Sequence, residues 1–356
     1  MRKFLFRVFF IPFFLAGEAV NHLCIMLDEL FFPSYRKTLV KAPVFITGMP
    51  RTGTTFMHNI LFLDSARFTS MKLWEIAFAP SILQKKMVLL IKKADARLGF
   101  PLKRSLVRIE KRLLKRFDSF HPLSLFQIEE DEYLMIHNFS SALMPFFLPA
   151  LKRVSRKTLI QKQGQAASSG GSRYYRNCIR KHMYVFGNGR EYLAKSPAHL
   201  PRMDQLRSLF PDLKIICMLR VPHETIPSTI SLFGHFNSIF HAGLDTGEIV
   251  QKTLELADIS FDMVTKSWPQ EDNGAFSLVR FEEFTTIPEA SVAGIYARFG
   301  FTITEEFRAS MEGYCHQQSG FVSGHVYSLE KYGLTLEILY SRYKGVYDKY
   351  FYGKPY

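Results

Sequence analysis

Short apolar runs punctuate the chain at wide intervals. Val44 to Ile46, Glu191 to Pro197 with a loop at its end, Lys214 to Leu219 and Phe276 to Phe281 each read as a strand. Lys214-Ile215-Ile216-Cys217-Met218-Leu219 is nearly all apolar, as a strand buried on both faces of a parallel sheet requires. Between these runs the spacing turns helical. Phe56, Met57, Ile60 and Leu61 predict a helix over 56–63, His199 to Leu209 predicts another, and Arg220-Val221-Pro222 leads into a helix carrying Ser228. Strands alternating with helices predict an α/β fold, a doubly wound parallel sheet with loops at the strand C-termini.

The first 42 residues depart from this pattern. Phe4 to Ala16 is strongly apolar but interrupted by Arg7 and Pro12. The uninterrupted span falls short of the ~20 residues of a membrane-crossing helix. The pattern continues through Val20, Leu23, Cys24, Leu27, Leu30 and Phe31, with Glu18, Asn21, Asp28 and Glu29 between them. This fits a helix lying in a membrane interface; the alternatives are a transmembrane anchor, or a helix packed on the protein's own core or on a partner subunit. The expected division is an amphipathic segment over 1–42 and a domain over 43–356 with a helical insertion at about 76–190.

Charge sharpens the picture of that insertion. The 356 residues carry a formal charge of +14, which favours anionic ligands or surfaces. Two predicted helices between Ser81 and Phe117 are rich in Lys and Arg, and between Lys85 and Arg116 only Asp95 and Glu110 oppose them. Lys152 to Lys181 contains no acid and includes Ser168-Ser169-Gly170-Gly171-Ser172, which reads as a turn. Gln127 to Tyr133 reads as an acidic helix start. The four cysteines are scattered without metal-ligand spacing, as in a reducing compartment.

The chemistry concentrates where the first strand ends. Val44-Phe45-Ile46-Thr47-Gly48-Met49-Pro50-Arg51-Thr52-Gly53-Thr54-Thr55-Phe56 passes from strand through a glycine loop into a helix, a geometry that gathers N–H groups and a helix N-terminus around an anion. Gly48 and Gly53 have Walker A spacing, but Thr54 stands where the Lys belongs and the positive charge has moved to Arg51. That substitution argues against a nucleotide kinase or NTPase. Arg220 and Ser228, at the tip of a later strand, form a second set of anion-binding groups.

Pro50-Arg51-Thr52-Gly53-Thr54-Thr55 resembles the 5′-phosphosulfate loop of sulfotransferases that use 3′-phosphoadenosine-5′-phosphosulfate (PAPS), and Arg220-x-Pro222-x5-Ser228 resembles their 3′-phosphate element. Leu193-Ala194-Lys195-Ser196-Pro197, Val279 to Phe284 and His325 to Thr335 extend the resemblance from about Pro43 to the C-terminus. The Arg-Lys-Gly and Gly-Asp-Trp-Lys-Asn strings of the cytosolic branch are missing, and Arg51 replaces that branch's Lys. The chain thus looks closer to the tyrosylprotein and bacterial branches.

The resemblance implies transfer of a sulfuryl group from PAPS to an acceptor hydroxyl or amine without a metal. It assigns Arg51, Thr52, Gly53, Thr54, Thr55, Arg220 and Ser228 to the donor nucleotide, Phe56 to the adenine and Lys195 to the bridging oxygen. Glu75 stands at about the distance of the tyrosylprotein branch's catalytic base, with Trp74 as an apolar wall expected to raise its pKa. His58, His121, His137 and His199 are rival bases. Apart from the resemblance, the N-terminal segment, the basic helices and the cysteines point to a cytoplasmic setting, peripheral on the inner face of an anionic membrane. A glycan, a lipid or a small molecule is the acceptor, and no nucleic-acid motif is present. A basic membrane- or nucleic-acid-binding protein without catalysis is the competing class; it leaves Arg51, Arg220 and Ser228 unexplained.

Overall fold

The computed structural model describes residues 2–115, 123–141, 144, 170–240, 242–267, 274–318 and 328–352. In chain order the elements that matter are α1 (Arg2–Phe31), β1 (Val44–Gly48), α2 (Thr54–Phe62), β2 (Phe68–Thr69), α3 (Leu73–Phe78), α4 (Ile82–Arg97), α5 (Pro101–Leu114) and α6 (Gly170–Phe186). Then come β3 (Glu191–Lys195), α7 (Met203–Leu209), β4 (Lys214–Leu219), α8 (Pro222–Phe240), α9 (Thr246–Asp262) and β5 (Phe276–Arg280), with further helices to Tyr350.

The five strands form one parallel sheet in the order β2-β3-β1-β4-β5. Val44 pairs with Leu193 on one side and Lys214 on the other, so β1 lies at the centre. The chain leaves β1 for β2 and β3 on one side, then crosses β1 to reach β4 on the other, which makes the C-terminal end of β1 the switch point where such sheets bind ligands. The expected doubly wound α/β architecture is therefore present. β2, only two residues long, has no counterpart in the sequence reading, and β5 gives way to a helix at Phe281. The first helix starts at Thr54 rather than 56, and a 3-10 turn over Pro197–Arg202 precedes α7.

The chain divides into two compact units. One contains the described residues of Met1–Lys41, Thr69–Pro145 and Ala150–Tyr192; the other contains those of Ala42–Phe68 and Leu193–Tyr356. The second unit is cored by β1, β4 and α2, with Val44, Ile46, Ile60, Leu61 and Ile216 packed against Phe284, Tyr296 and Phe307. Its apolar strands supply the burial that drives their assembly.

Buried polar groups tie the helices of the first unit together. Asp28, fully buried on α1, accepts from the N–H groups of Ile82 (2.8 Å) and Leu83 (3.0 Å) at the start of α4 and pairs with Lys181 of α6 at 2.9 Å. Ser81 caps the same helix end through Gln84 N–H at 3.0 Å, and the Gln84 amide donates to Asn21 Oδ1 of α1 at 2.7 Å. Glu18 of α1 meets His137 Nδ1 at 2.8 Å.

One sequence reading changes here, and another is refined. Gly170 and Gly171, read as part of a turn, open α6, while Ser168 and Ser169 lie outside the described residues. The acids near Tyr133 do open a helix, a 3-10 turn over Asp131–Ile136, and Glu129, Asp131 and Glu132 are buried there. Asp131 Oδ2 accepts from the Tyr175 hydroxyl at 2.5 Å and the Tyr192 hydroxyl at 2.9 Å, long-range partners that no local pattern announces.

Candidate active site

The loop after β1 is shaped by close backbone approach. Gly48 has φ 145°, and a Cβ there would lie 2.3 Å from the Met218 carbonyl oxygen, so no side chain fits. Gly53 has φ 83°, and its Cβ would come within 2.9 Å of the Phe281 ring. Between them Thr52 Oγ1 donates to Met49 O at 2.7 Å, and the Thr229 hydroxyl of α8 donates to Pro50 O at 3.2 Å. Arg51 takes a left-handed backbone at φ 68°, a conformation that costs a non-glycine residue roughly 1–2 kcal/mol. The loop ends at the N-terminus of α2, where Thr54 is buried and Thr55 exposed. The result is an anion cradle with one end of a helix dipole behind it.

The sheet register brings the second anion-binding set to the same place. Gly48 pairs with Met218, so Arg220 emerges beside the phosphate loop. Arg220 Nη1 donates to Arg51 O at 3.2 Å, and its guanidinium lies 4.4 Å from the centre of the Phe281 ring. Ser228, buried on α8, accepts from Arg51 Nε at 3.2 Å. Arg51, Arg220 and Ser228 thus meet in one cluster within the second unit. Arg220 also holds Glu224 Oε2 through Nη2 at 2.6 Å and Nε at 3.0 Å.

Other predicted residues fall as follows. Lys195 ends β3, buried, in register with Ile46. Phe56, half-buried, packs its ring 5.0 Å from that of Phe284 and 6.0 Å from Tyr314, against the unit's core. His58 and His199 are buried; the His199 ring lies edge-on to Phe45. His121, and His325 to Tyr327 of the C-terminal motif, lie outside the described residues.

Glu75 belongs to the first unit, on α3, and is almost wholly buried. Its Oε1 accepts from Lys72 N–H at 3.1 Å, while Oε2 accepts from His182 Nδ1 at 2.8 Å and lies 3.9 Å from Lys85 Nζ. The other His182 nitrogen meets Thr69 Oγ1 at 2.9 Å. Burial pushes the Glu75 carboxyl up, but His182, Lys85 and the Lys72 N–H together outweigh it and hold the pKa below its ordinary value. This is opposite to the rise expected from Trp74, whose ring instead stands edge-on to Phe186. His137 is tied to Glu18 and, through Nε2, to Ile76 O at 2.6 Å.

Sequence reading missed three supports of the site. Thr229 holds the loop carbonyl of Pro50, Glu224 engages Arg220, and Glu282 Oε1 accepts from Val221 N–H at 3.3 Å. The only advance signal was the i,i+4 spacing of Arg220, just before the helix, with Glu224, and of Thr225 with Thr229. Burial raises the Glu282 pKa. Among the described residues, no three His, Cys, Asp or Glu side chains form a metal-holding group.

The sequence model of the sulfotransferase family matches residues 43–305. Among curated proteins, no sequence relative of this chain reaches significance. The fold is similar to that of sulfotransferase STF9 from Mycobacterium avium, with a TM-score of 0.75 and 20% identity over 92% of this chain and 81% of that one. It is likewise similar to sulfotransferase STF1 from Mycobacterium tuberculosis H37Rv, with a TM-score of 0.67 and 22% identity over 95% of this chain and 86% of that one.

Proposed function

Because the chain belongs to the sulfotransferase family, we propose that it transfers a sulfuryl group from PAPS to an acceptor hydroxyl or amine at a membrane face, releasing 3′,5′-ADP. The observation that carries this reading is the meeting of Arg51, Arg220 and Ser228 at the C-terminal ends of β1 and β4. A mononucleotide needs one anion cradle; a nucleotide with 5′ and 3′ anions needs two, side by side. The glycine positions support the fit, since side chains at Gly48 or Gly53 would collide with the loop's surroundings.

PAPS, when bound, would supply the sulfuryl group, and the remainder would leave as 3′,5′-ADP with the bonding electrons on its 5′-phosphate. The chain's residues have the remaining tasks. Arg51, the loop backbone of Thr52 and Gly53, and the hydroxyls of Thr54 and Thr55 would hold the 5′ anion and stabilise the charge that develops there. Arg220 and Ser228 would hold the 3′-phosphate, which separates this donor from ATP. Lys195 would donate to the bridging oxygen, and Phe56 would border the adenine.

Glu75 is the proposed general base. Held below its ordinary pKa, it is ionised at neutral pH and ready to accept a proton, though as a weaker base than a free carboxylate. The proposal requires it to reach the acceptor in the loaded complex. The acceptor is a glycan, a lipid or a small molecule, and the setting is the cytoplasmic face of an anionic membrane.

A thermal-shift series tests the donor assignment. 3′,5′-ADP should raise the melting temperature well above the shift given by AMP or ATP. Equal shifts for 3′,5′-ADP and AMP would remove the 3′-phosphate site.

A further inference from the structure

Helix α1 is built inside out. Its polar residues Glu18, Asn21 and Asp28 are buried against the first unit, engaged by His137, Gln84, Lys181 and the start of α4. Four of its apolar residues face the other way. At 100° per residue, Val20, Leu23, Met26 and Leu30 lie opposite the buried trio. All four are exposed, Met26 at 69% and Leu30 at 70%, whereas Asp28 is at 0%. In water this arrangement leaves unburied the surface whose burial usually holds a helix in place.

Helix α5, in the same unit, repeats the theme. Leu102, Leu106, Ile109 and Leu113 recur at intervals of four, three and four residues, and all are exposed. The basic side chains Lys103, Arg104, Arg108, Lys111 and Arg112 fill the positions between. The acids of α4 and α5, Asp95 and Glu110, are buried, and Asp95 is spent on the N–H groups of Leu102 (2.8 Å) and Lys103 (3.1 Å). The exposed charge of both helices is therefore entirely positive.

We propose that α1 and α5 dock the protein on an anionic lipid bilayer, their apolar rows entering the headgroup region and the basic side chains of α5 meeting lipid phosphates. Charge complementarity selects this occupant. A second copy of the same face would set one basic surface against another. Nucleic acid would satisfy the charge but leave both apolar rows wet. An interfacial helix needs an apolar face, a basic polar face and limited overall hydrophobicity, and α5 has all three. No helix among the described residues is long and apolar enough to cross a membrane. The inference deepens the membrane part of the proposed function and does not depend on the nucleotide assignment.

The test uses the full chain and co-sedimentation with two kinds of vesicle, phosphatidylcholine alone and an equimolar mixture with phosphatidylglycerol. The wild type should bind the mixed vesicles at least about tenfold more strongly, since each basic side chain near such a surface contributes roughly fivefold. Leu106→Ser with Ile109→Ser, and separately Met26→Ser with Leu30→Ser, should each weaken that binding by about tenfold or more. Arg108→Glu with Lys111→Glu should abolish the preference for the mixed vesicles. The melting temperature and 3′,5′-ADP binding of each variant are measured alongside. Intact values there, with lost vesicle binding, support the surface whether or not the transferase reading survives. Absence of wild-type binding to either vesicle, or binding that these substitutions leave unchanged, overturns it. So does light scattering that shows a dimer dissolved by the same substitutions without any vesicle binding.

Discussion

Arg51 Nε donates to Ser228 Oγ across 3.2 Å, joining a loop after the first strand to a helix 177 residues later. The two groups assigned to opposite ends of the donor nucleotide are thus already in contact. If Arg220 and Ser228 read the 3′-phosphate, Arg220→Ala should weaken 3′,5′-ADP by roughly 10–100-fold, the range of a charge-assisted hydrogen bond. AMP affinity should change only a few-fold. Titration calorimetry with both ligands checks this; equal losses would make Arg220 a general support of the loop through its bond to Arg51 O.

The partner of Arg220 gives a prediction in the other direction. Glu224 occupies Nε and Nη2 of the guanidinium, the same edge a phosphate would use. Glu224 is exposed, so the pair is screened and weak. Glu224→Gln should raise 3′,5′-ADP affinity by up to about fivefold and leave AMP unchanged. A fall in affinity would show that Glu224 orients Arg220 rather than competing for it.

Glu75→Gln carries two effects that must be separated. As the base, Glu75 should contribute about 10²–10⁴-fold to turnover. As the buried partner of Lys85 and His182, its loss should cost stability by about 3–5 kcal/mol, because a buried ammonium loses its carboxylate. Glu75→Gln combined with Lys85→Met removes the orphaned charge and should recover much of the melting temperature. Turnover should stay low in the double variant. Its recovery along with stability would make Glu75 structural.

The same carboxylate predicts acid sensitivity. Its native pKa lies below the ordinary 4.5, so the unfolded chain takes up a proton more readily than the folded one. The stabilisation is complete above pH 4.5 and is lost as pH falls below it through the native value. Urea midpoints measured from neutral pH downward should fall less steeply for the Glu75→Gln, Lys85→Met double variant than for the wild type. Parallel curves would remove Glu75 from the acid response.

The sheet and the phosphate loop were legible because their signals are local. A run such as Ile215 to Leu219 cannot avoid burial, and Gly48 and Gly53 bracket a turn that other residues would obstruct. Two kinds of feature were not legible. β2 is two residues long, too short to carry a period. The burial of Asp131 and of the polar face of α1 depends on Tyr175, Tyr192, His137 and Lys181, which lie far along the chain. Amphipathic spacing shows that a helix has two faces; it does not say which one the fold will take inward. The Glu75 pKa failed for a similar reason, since Trp74 was visible nearby in sequence and His182 was not.

The pairing of Asp28 with Lys181 at 2.9 Å also has a temporal side. During synthesis α1 leaves the ribosome long before Lys181 exists. At translation rates of about 5–20 residues per second, the interval is roughly 8–30 s. Through that time the helix has neither its ammonium partner nor, for the first part, the N–H groups of Ile82 and Leu83. The nascent segment therefore presents an apolar flank beside carboxylates that only water satisfies, and the apolar flank is suited to capture by a chaperone or by a nearby bilayer before the first unit closes around it.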